Sequence, residues 1–273
     1  PAHANTRTPA LRLRDGRNGR LLAVCGAGCD FRDVAAALRS LGLLDGRGGF
    51  ESDPAAEAQR RVEEERDRRK RAAQARRAWA EARPIESTLA ERYLHARAIR
   101  GPLPPSLRFT QAAWHGPTAR RFPAMVAAVT LGGEAEPVAV HRTYLAEPGR
   151  KADLGGEAEL SLGPVGGGAV RLSDGAGPLI VAEGIETALS LADALADISP
   201  RVWAALSTSG VSGLRLPRPP GDLTLAPDGD AAGRKAAEEL ARRAHAAGWR
   251  VRILPAPGDG LDWNDAALRG VAA

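Results

Sequence analysis

The chain has 273 residues and a formal net charge of +5, from 38 lysines and arginines against 33 acids, and 44% of it is hydrophobic. Such a chain is long enough for a sizeable core and suits a globular protein of two units plus a small appendage. It contains no apolar run of about eighteen residues and no apolar stretch behind its polar N-terminus, so neither a membrane span nor a signal peptide is expected and a cytoplasmic protein is the default reading. The modest positive charge permits a polyanionic partner.

In chain order, Leu11-Arg12-Leu13-Arg14 and Arg20-Leu21-Leu22-Ala23-Val24 alternate like two strands of a hairpin around Asp15-Gly16-Arg17-Asn18-Gly19. Asp30 then starts a helix that stops near Gly42. From Pro54 to Arg83 the pattern is charged and alanine-rich, with acids before bases at i,i+4 (Glu57/Arg61, Glu64/Arg68, Glu65/Arg69, Asp67/Arg71), which predicts a solvated linker helix. A further helix is expected over 87–98, capped by Ser87, with Leu89, Tyr93 and Leu94 on one face. Residues 107–172 read as β-rich, including Pro123–Thr130 and Val138–Leu145. From Gly177 to about Leu268, strands and helices alternate, which predicts an α/β domain with a parallel sheet. The expected divisions are 1–45, 46–84 (linker), 85–176 (a small mixed α+β domain facing nucleic acid) and 177–273.

Acids close the strands of that last segment. Glu183 follows Pro178-Leu179-Ile180-Val181-Ala182, and Asp228-Gly229-Asp230 follows Asp222-Leu223-Thr224-Leu225-Ala226-Pro227; Asp262 and Asp265 come shortly after Trp249–Leu254. In a parallel sheet these ends share one edge, where open α/β folds bind ligands. Carboxylates gathered there repel one another unless a cation sits between them, and hard oxygen donors suit Mg²⁺. Taken alone, Asp228-Gly229-Asp230 is also a tight turn with Asp230 as a helix cap, and Asp265 is also an acid favoured by a helix N-terminus. In the functional reading, Gly229 leaves the backbone room to approach a metal or phosphate.

Three ordered segments, Val181-Ala182-Glu183-Gly184-Ile185-Glu186-Thr187-Ala188, Leu225-Ala226-Pro227-Asp228-Gly229-Asp230-Ala231-Ala232-Gly233 and Gly260-Leu261-Asp262-Trp263-Asn264-Asp265, resemble a Toprim domain, the catalytic module of bacterial-type primases, topoisomerases and some nucleases. The resemblance covers roughly 177–268 and implies a Rossmann-like parallel sheet flanked by helices. It further implies that Asp228 and Asp230 hold Mg²⁺ (or Mn²⁺), that Glu183 acts as general acid/base or shares a metal, and that Asp262 completes the cluster. Many members carry another acid four residues after the first Glu; here Thr187 stands there, with Glu186 one residue earlier, which leaves the number of metals open.

The N-terminal residues Pro1-Ala2-His3 and Val24-Cys25-Gly26-Ala27-Gly28-Cys29 resemble a primase zinc ribbon whose first cysteine would fall just before Pro1. His3, Cys25 and Cys29 then supply three ligands of an incomplete Zn²⁺ site, closed in a full-length parent. Val140–Leu145 with Gly149-Arg150-Lys151-Ala152 resembles the segment preceding Toprim in phage and plasmid primase-like proteins. By their own chemistry, Arg142 on a strand and Lys151 on the following loop either present cations to a polyanion near the acid edge or belong to a solvated hairpin. Tyr144 and Trp114 are expected to pack in the β core rather than stack on bases. Ser207-Thr208-Ser209-Gly210 reads as a substrate-side loop at the acid edge.

These resemblances imply a phage- or plasmid-type primase-like enzyme that makes short RNA primers from nucleoside triphosphates on single-stranded DNA. No Gly-x-x-x-x-Gly-Lys-Ser/Thr loop occurs, so the chain carries no P-loop motor of its own, and a replicative helicase in trans is a candidate partner. The alternatives are a Toprim nuclease and a non-catalytic DNA-binding module of a replication protein. A phosphatase with an Asp-x-Asp nucleophile fits less well, because there the pair usually ends the first strand.

Overall fold

The structure, a computed structural model, describes residues 11–15, 21–25, 29–44, 54–132 and 134–270. The chain divides into two compact units, Pro1–Asp67 and Arg68–Ala273.

In the first unit β1 (Leu11–Asp15) and β2 (Leu21–Cys25) pair antiparallel, Leu11 opposite Cys25, as the alternation predicted. The turn at 16–20 lies outside the described residues. Asp30 caps α1 (Phe31–Ser40) by accepting the Arg32 N–H at 2.9 Å, and Gly42 at φ 68° ends the turn that follows. Val34, Ala35 and Leu38 share the buried face of α1, which packs against β2.

The division between the units falls within α2 (Pro54–Glu81). The expectation of a solvated helix fails for its C-terminal half. Ala72 and Ala75 are buried, and Ala75 packs with Ala82, Val126 and Val140, with Ala78 and Trp79 alongside. Positions 72, 75, 79 and 82 follow the spacing of one helical face, but alanines carry too little hydrophobicity to stand out among the surrounding charges.

The second unit continues through β3 (Arg83–Pro84), α3 (Leu89–Ala96), β4 (Leu107–His115), β5 (Arg120–Leu131), β6 (Ala139–Ala146), β7 (Arg150–Lys151), β8 (Glu159–Leu162) and β9 (Gly168–Asp174). It then alternates as β10 (Leu179–Ala182), α4 (Ile185–Ala194), β11 (Arg201–Ala204), α5 (Thr208–Gly213), β12 (Asp222–Ala226), α6 (Ala231–Ala246), β13 (Arg250–Ile253) and α7 (Trp263–Leu268). Thr88, not Ser87, caps α3: its hydroxyl accepts from Ala90 and Glu91, while Ser87 sits at φ 57° in the preceding turn.

β10 to β13 are parallel, in the order β13-β12-β10-β11, as the strand–helix alternation requires. β9 pairs antiparallel with both β11 and β5, so a single sheet runs from the C-terminal α/β segment into the β-rich segment. Both faces of its parallel part are covered. Leu179, Val181, Leu223 and Leu225 face α6 residues Ala237 and Leu240, while Ile180 and Ala182 pack with Leu189 of α4 and Leu94 of α3. This accounts for the unbroken apolar run of β10. No helix among the described residues is long and apolar enough to cross a membrane.

Candidate active site

Glu183 directly follows β10, and Asp228 and Asp230 fill the turn from β12 into α6. β10 and β12 are hydrogen-bonded neighbours in parallel register, Ala182 opposite Ala226, so the acids emerge side by side. Burial first, then Asp228 and Asp230, push Glu183 up to about 7, against a backbone N–H of Thr208 that favours its charged form. Asp228 is pushed up to about 6 by burial and then by Asp262, Asp230 and Asp265. The acids expected at one edge therefore feel one another there.

The backbone explains how Asp262 arrives. Gly229 N–H donates to the Leu261 carbonyl at 2.8 Å, and Gly260 N–H to the Gly229 carbonyl at 2.9 Å. A Cβ on residue 229 would lie 2.1 Å from the Gly258 carbonyl oxygen. Glycine is needed at 229 because the 258–261 loop packs on it, a requirement the sequence reading did not foresee. Asp230 also caps α6, accepting from Gly233 N–H at 2.6 Å. Asp262 and Asp265 form a reciprocal capping box on α7, at 2.7 and 3.3 Å. The capping and the cluster readings of Asp230 hold together.

The loop 205–210 lies beside Glu183. Leu206 takes φ 72°, strained for a bulky residue, and its N–H donates to the Glu183 carbonyl at 2.8 Å. Ser207 then caps α5 by accepting from Gly210 N–H at 2.9 Å, and Thr208 turns its backbone N–H to the Glu183 carboxylate. This loop, expected to meet substrate, orients Glu183.

Glu186 is buried and turned elsewhere. Tyr93 Oη donates to its carboxylate at 2.5 Å, and Lys151 Nζ lies 3.8 Å away. Lys151 is itself 3.0 Å from Glu159, whose carboxyl is held down at about 2 by the His141 imidazole 3.9 Å away and by Lys151. Arg142 is partly buried and donates to the Trp114 carbonyl at 2.8 Å. Sequence reading attached no role to Asn264, yet it is fully buried and its amide donates to the Arg97 carbonyl and to Ser190 Oγ, fastening α7 to α4. The Asp-Trp-Asn-Asp run in which it sits was the available signal. Arg234, also passed over, donates to the Gly229 carbonyl at 2.9 Å and lines a cavity of about 450 Å³ beside Asp228 and Pro255.

Among the described residues no group of three or more His, Cys, Asp or Glu is already gathered as a metal cage. The chemistry of the acid edge nevertheless fits a hard cation. Asp228 Oδ1 is buried without a hydrogen-bond partner, and its neighbours are carboxylates that raise its proton affinity. In the first unit Cys29 and Cys25 are hydrogen-bonded to each other, which raises Cys29, while His3 lies outside the described residues.

Two family models match the chain. Residues 69–172 match a domain of unknown function, DUF7146, and residues 178–273 match the Toprim domain. The C-terminal part of the chain is a Toprim domain. Its acids Glu183, Asp228, Asp230 and Asp262 all fall within the matched residues. No curated protein matches the chain significantly.

Among solved structures, the primase fragment of the bacteriophage T7 primase-helicase is similar at 18% identity and TM-score 0.42, over 60% of this chain and 63% of that one. A DNA primase domain from Pseudomonas aeruginosa is similar at 15% identity and TM-score 0.43, over 73% and 74%. The zinc-binding and RNA polymerase domains of Aquifex aeolicus primase are similar at 13% identity and TM-score 0.48, over 88% and 64%. The matches thus span less than two thirds of the T7 and Aquifex chains.

Proposed function

We propose that this protein is a primase-like, metal-dependent nucleotidyltransferase that joins ribonucleotides into short primers on single-stranded DNA during phage or plasmid replication. One observation carries the reading: Asp228 presents a buried, unpartnered carboxylate oxygen amid other acids at the sheet edge of a Toprim domain. Glu183, Asp228, Asp230 and Asp262 would hold Mg²⁺ or Mn²⁺, which supplies charge neutralisation for a transferring phosphoryl group. Glu183, raised to about 7, is suited to take or return a proton at a nucleotide hydroxyl near neutral pH, oriented by the Thr208 N–H. Lys151 would meet a polyanion only by competing with Glu159 and Glu186 for it. Arg142 would add its charge from beneath Trp114.

The reading includes an incomplete zinc site using His3, Cys25 and Cys29; the nearness of the Cys25 and Cys29 thiols supports it. A replicative helicase would act in trans. The test is incubation with single-stranded template, Mg²⁺ or Mn²⁺ and labelled ribonucleotides. Primers are expected from the unaltered chain and none from the double variant Asp228→Ala, Asp230→Ala. Synthesis that survives the double substitution sinks the assignment, and metal-dependent plasmid nicking without primers would make the protein a Toprim nuclease instead.

A further inference from the structure

Arg234 turns away from the partner its helix offers. In α6 it stands four residues before Glu238, a spacing at which opposite charges pair, and both residues line the cavity beside Asp228. The guanidinium instead reaches back past the start of the helix, where Nη1 donates to the Gly229 carbonyl at 2.9 Å. Asp259 lies 3.7 Å from the same nitrogen, but its carboxylate is wholly exposed and such a pair adds little. The bond to the carbonyl is the contact that holds the side chain.

That carbonyl is a junction. Gly229 lies between Asp228 and Asp230; its carbonyl also accepts the Gly260 N–H at 2.9 Å, and its own N–H donates to the Leu261 carbonyl at 2.8 Å. With the guanidinium added, both lone pairs of the oxygen are used, one of them in a charge-assisted bond. Asp262 follows Leu261 directly and, after burial, is the first of the acids that raise Asp228. Charge cannot be the benefit of Arg234 here. A guanidinium beside the acids opposes a cation held among them, so by Coulomb interaction alone it would weaken the binding of that cation. Asp228 Oδ1 is buried without a hydrogen-bond partner, and a hard cation would draw on that oxygen and on Asp262 together. A gain from Arg234 therefore has to come through the geometry it imposes.

We infer that Arg234 is a positioning residue for the acid edge: by gripping the Gly229 carbonyl it fixes the 258–261 loop against the Asp228–Asp230 turn and so sets Asp262 beside Asp228 for a divalent cation. The role deepens the proposed function and rests on its cation site, not on primer synthesis. Arg234 touches neither cation nor substrate in this role. It acts through the backbone that carries Asp262.

The test is calorimetric titration of Mn²⁺ into the full chain, without nucleotide or template. Arg234→Met removes donor and charge at similar length and should weaken Mn²⁺ binding about 10-fold, the scale on which groups behind a metal ligand act. Unchanged or tighter binding overturns the role, because loss of the charge alone should tighten it. Arg234→Lys keeps a donor and should stay within about threefold of the parent. The Arg234 side chain is 53% exposed, so both variants should melt near the parent. A folded Lys variant as weak as the Met variant overturns the hydrogen bond as the cause. Asp259→Asn should change the affinity less than about twofold, and a loss equal to that of Arg234→Met would move the role to the ion pair and overturn it. Adding Arg234→Met to Asp262→Asn should cost less than about twofold more, whereas losses that multiply overturn the route through Asp262. A parent chain that binds no Mn²⁺ overturns the role together with the cation site. Arg234-dependent Mn²⁺ binding in a chain that makes no primers leaves the role standing and removes only the polymerase reading.

Discussion

Asp228 is held where its charge is unwelcome, by burial and by Asp262, Asp230 and Asp265. Because its value and that of Glu183 lie above those of exposed carboxyls, protonation stabilises the fold: the contribution is full below about 4 and is lost as pH rises through 6 and 7. Metal-free protein should therefore lose thermal stability between about pH 4 and 7, and millimolar Mg²⁺ should restore it at the upper end. Asp228→Asn should raise the metal-free stability at pH 8 by about 1 kcal/mol, allowing for solvent screening, and should abolish the Mg²⁺ response. Calorimetry at a series of pH values checks both, and an Asn variant that melts lower than the parent would contradict the account. Gly229→Ala, with its Cβ 2.1 Å from the Gly258 carbonyl oxygen, should cost about 2 kcal/mol or more in urea unfolding. That variant should also weaken Mg²⁺ binding, since the loop it displaces carries Asp262. At this scale the sequence placed the acids at one sheet edge but gave no sign of the loop packed on Gly229, because that loop is thirty residues away.

Among the elements, α4 shows how one helix serves two settings. Glu183 precedes it at the acid edge, while Glu186, one turn on, is buried against Tyr93 of α3 and faces Lys151 of β7. Lys151 continues this network to Glu159, which lies 3.9 Å from His141 Nε2. Glu159 lies well below the ordinary glutamate value, so its contribution is present above about 4.5 and is lost as pH falls towards 2. Glu159→Gln should leave a protein whose stability no longer falls on that acid limb as steeply as the parent's, as circular dichroism melts between pH 5 and 2.5 would show. An identical acid limb in the variant would contradict the network. None of this was legible from spacing, since Glu186 stands within one residue of the place where an acid was sought. Burial against α3, a helix ninety residues earlier, decided its direction. α2 teaches the same lesson: its charges predicted the helix, but only packing on Val126 and Val140 reveals which stripe is core.

Across the whole molecule, β9 joins the parallel strands of the Toprim domain to the antiparallel strands before it, and residues of both segments share one core cluster with α3 and α4. Residues 69–172 and 178–273 match separate family models, yet they lie in one compact unit. That unit should unfold in a single calorimetric transition rather than two, because no surface between the segments can open without exposing Val170, Ile180 and Val202. Two resolved transitions, each assigned to one segment by limited proteolysis, would contradict this.

By itself the sequence determined the alternation of strands and helices from Gly177 onward, the parallel sheet that follows from it, and the presence of Glu183, Asp228 and Asp230 at strand ends. These are local properties: apolar runs of strand length, helical periodicity and turn residues act within a few positions of one another. Only the tertiary structure decided that Glu186 turns away to Tyr93, that Trp114 stays in water, and that one sheet spans both matched segments. Each of those outcomes is set by contacts between residues far apart in the chain, where packing and hydrogen bonding choose among directions that local pattern leaves equal.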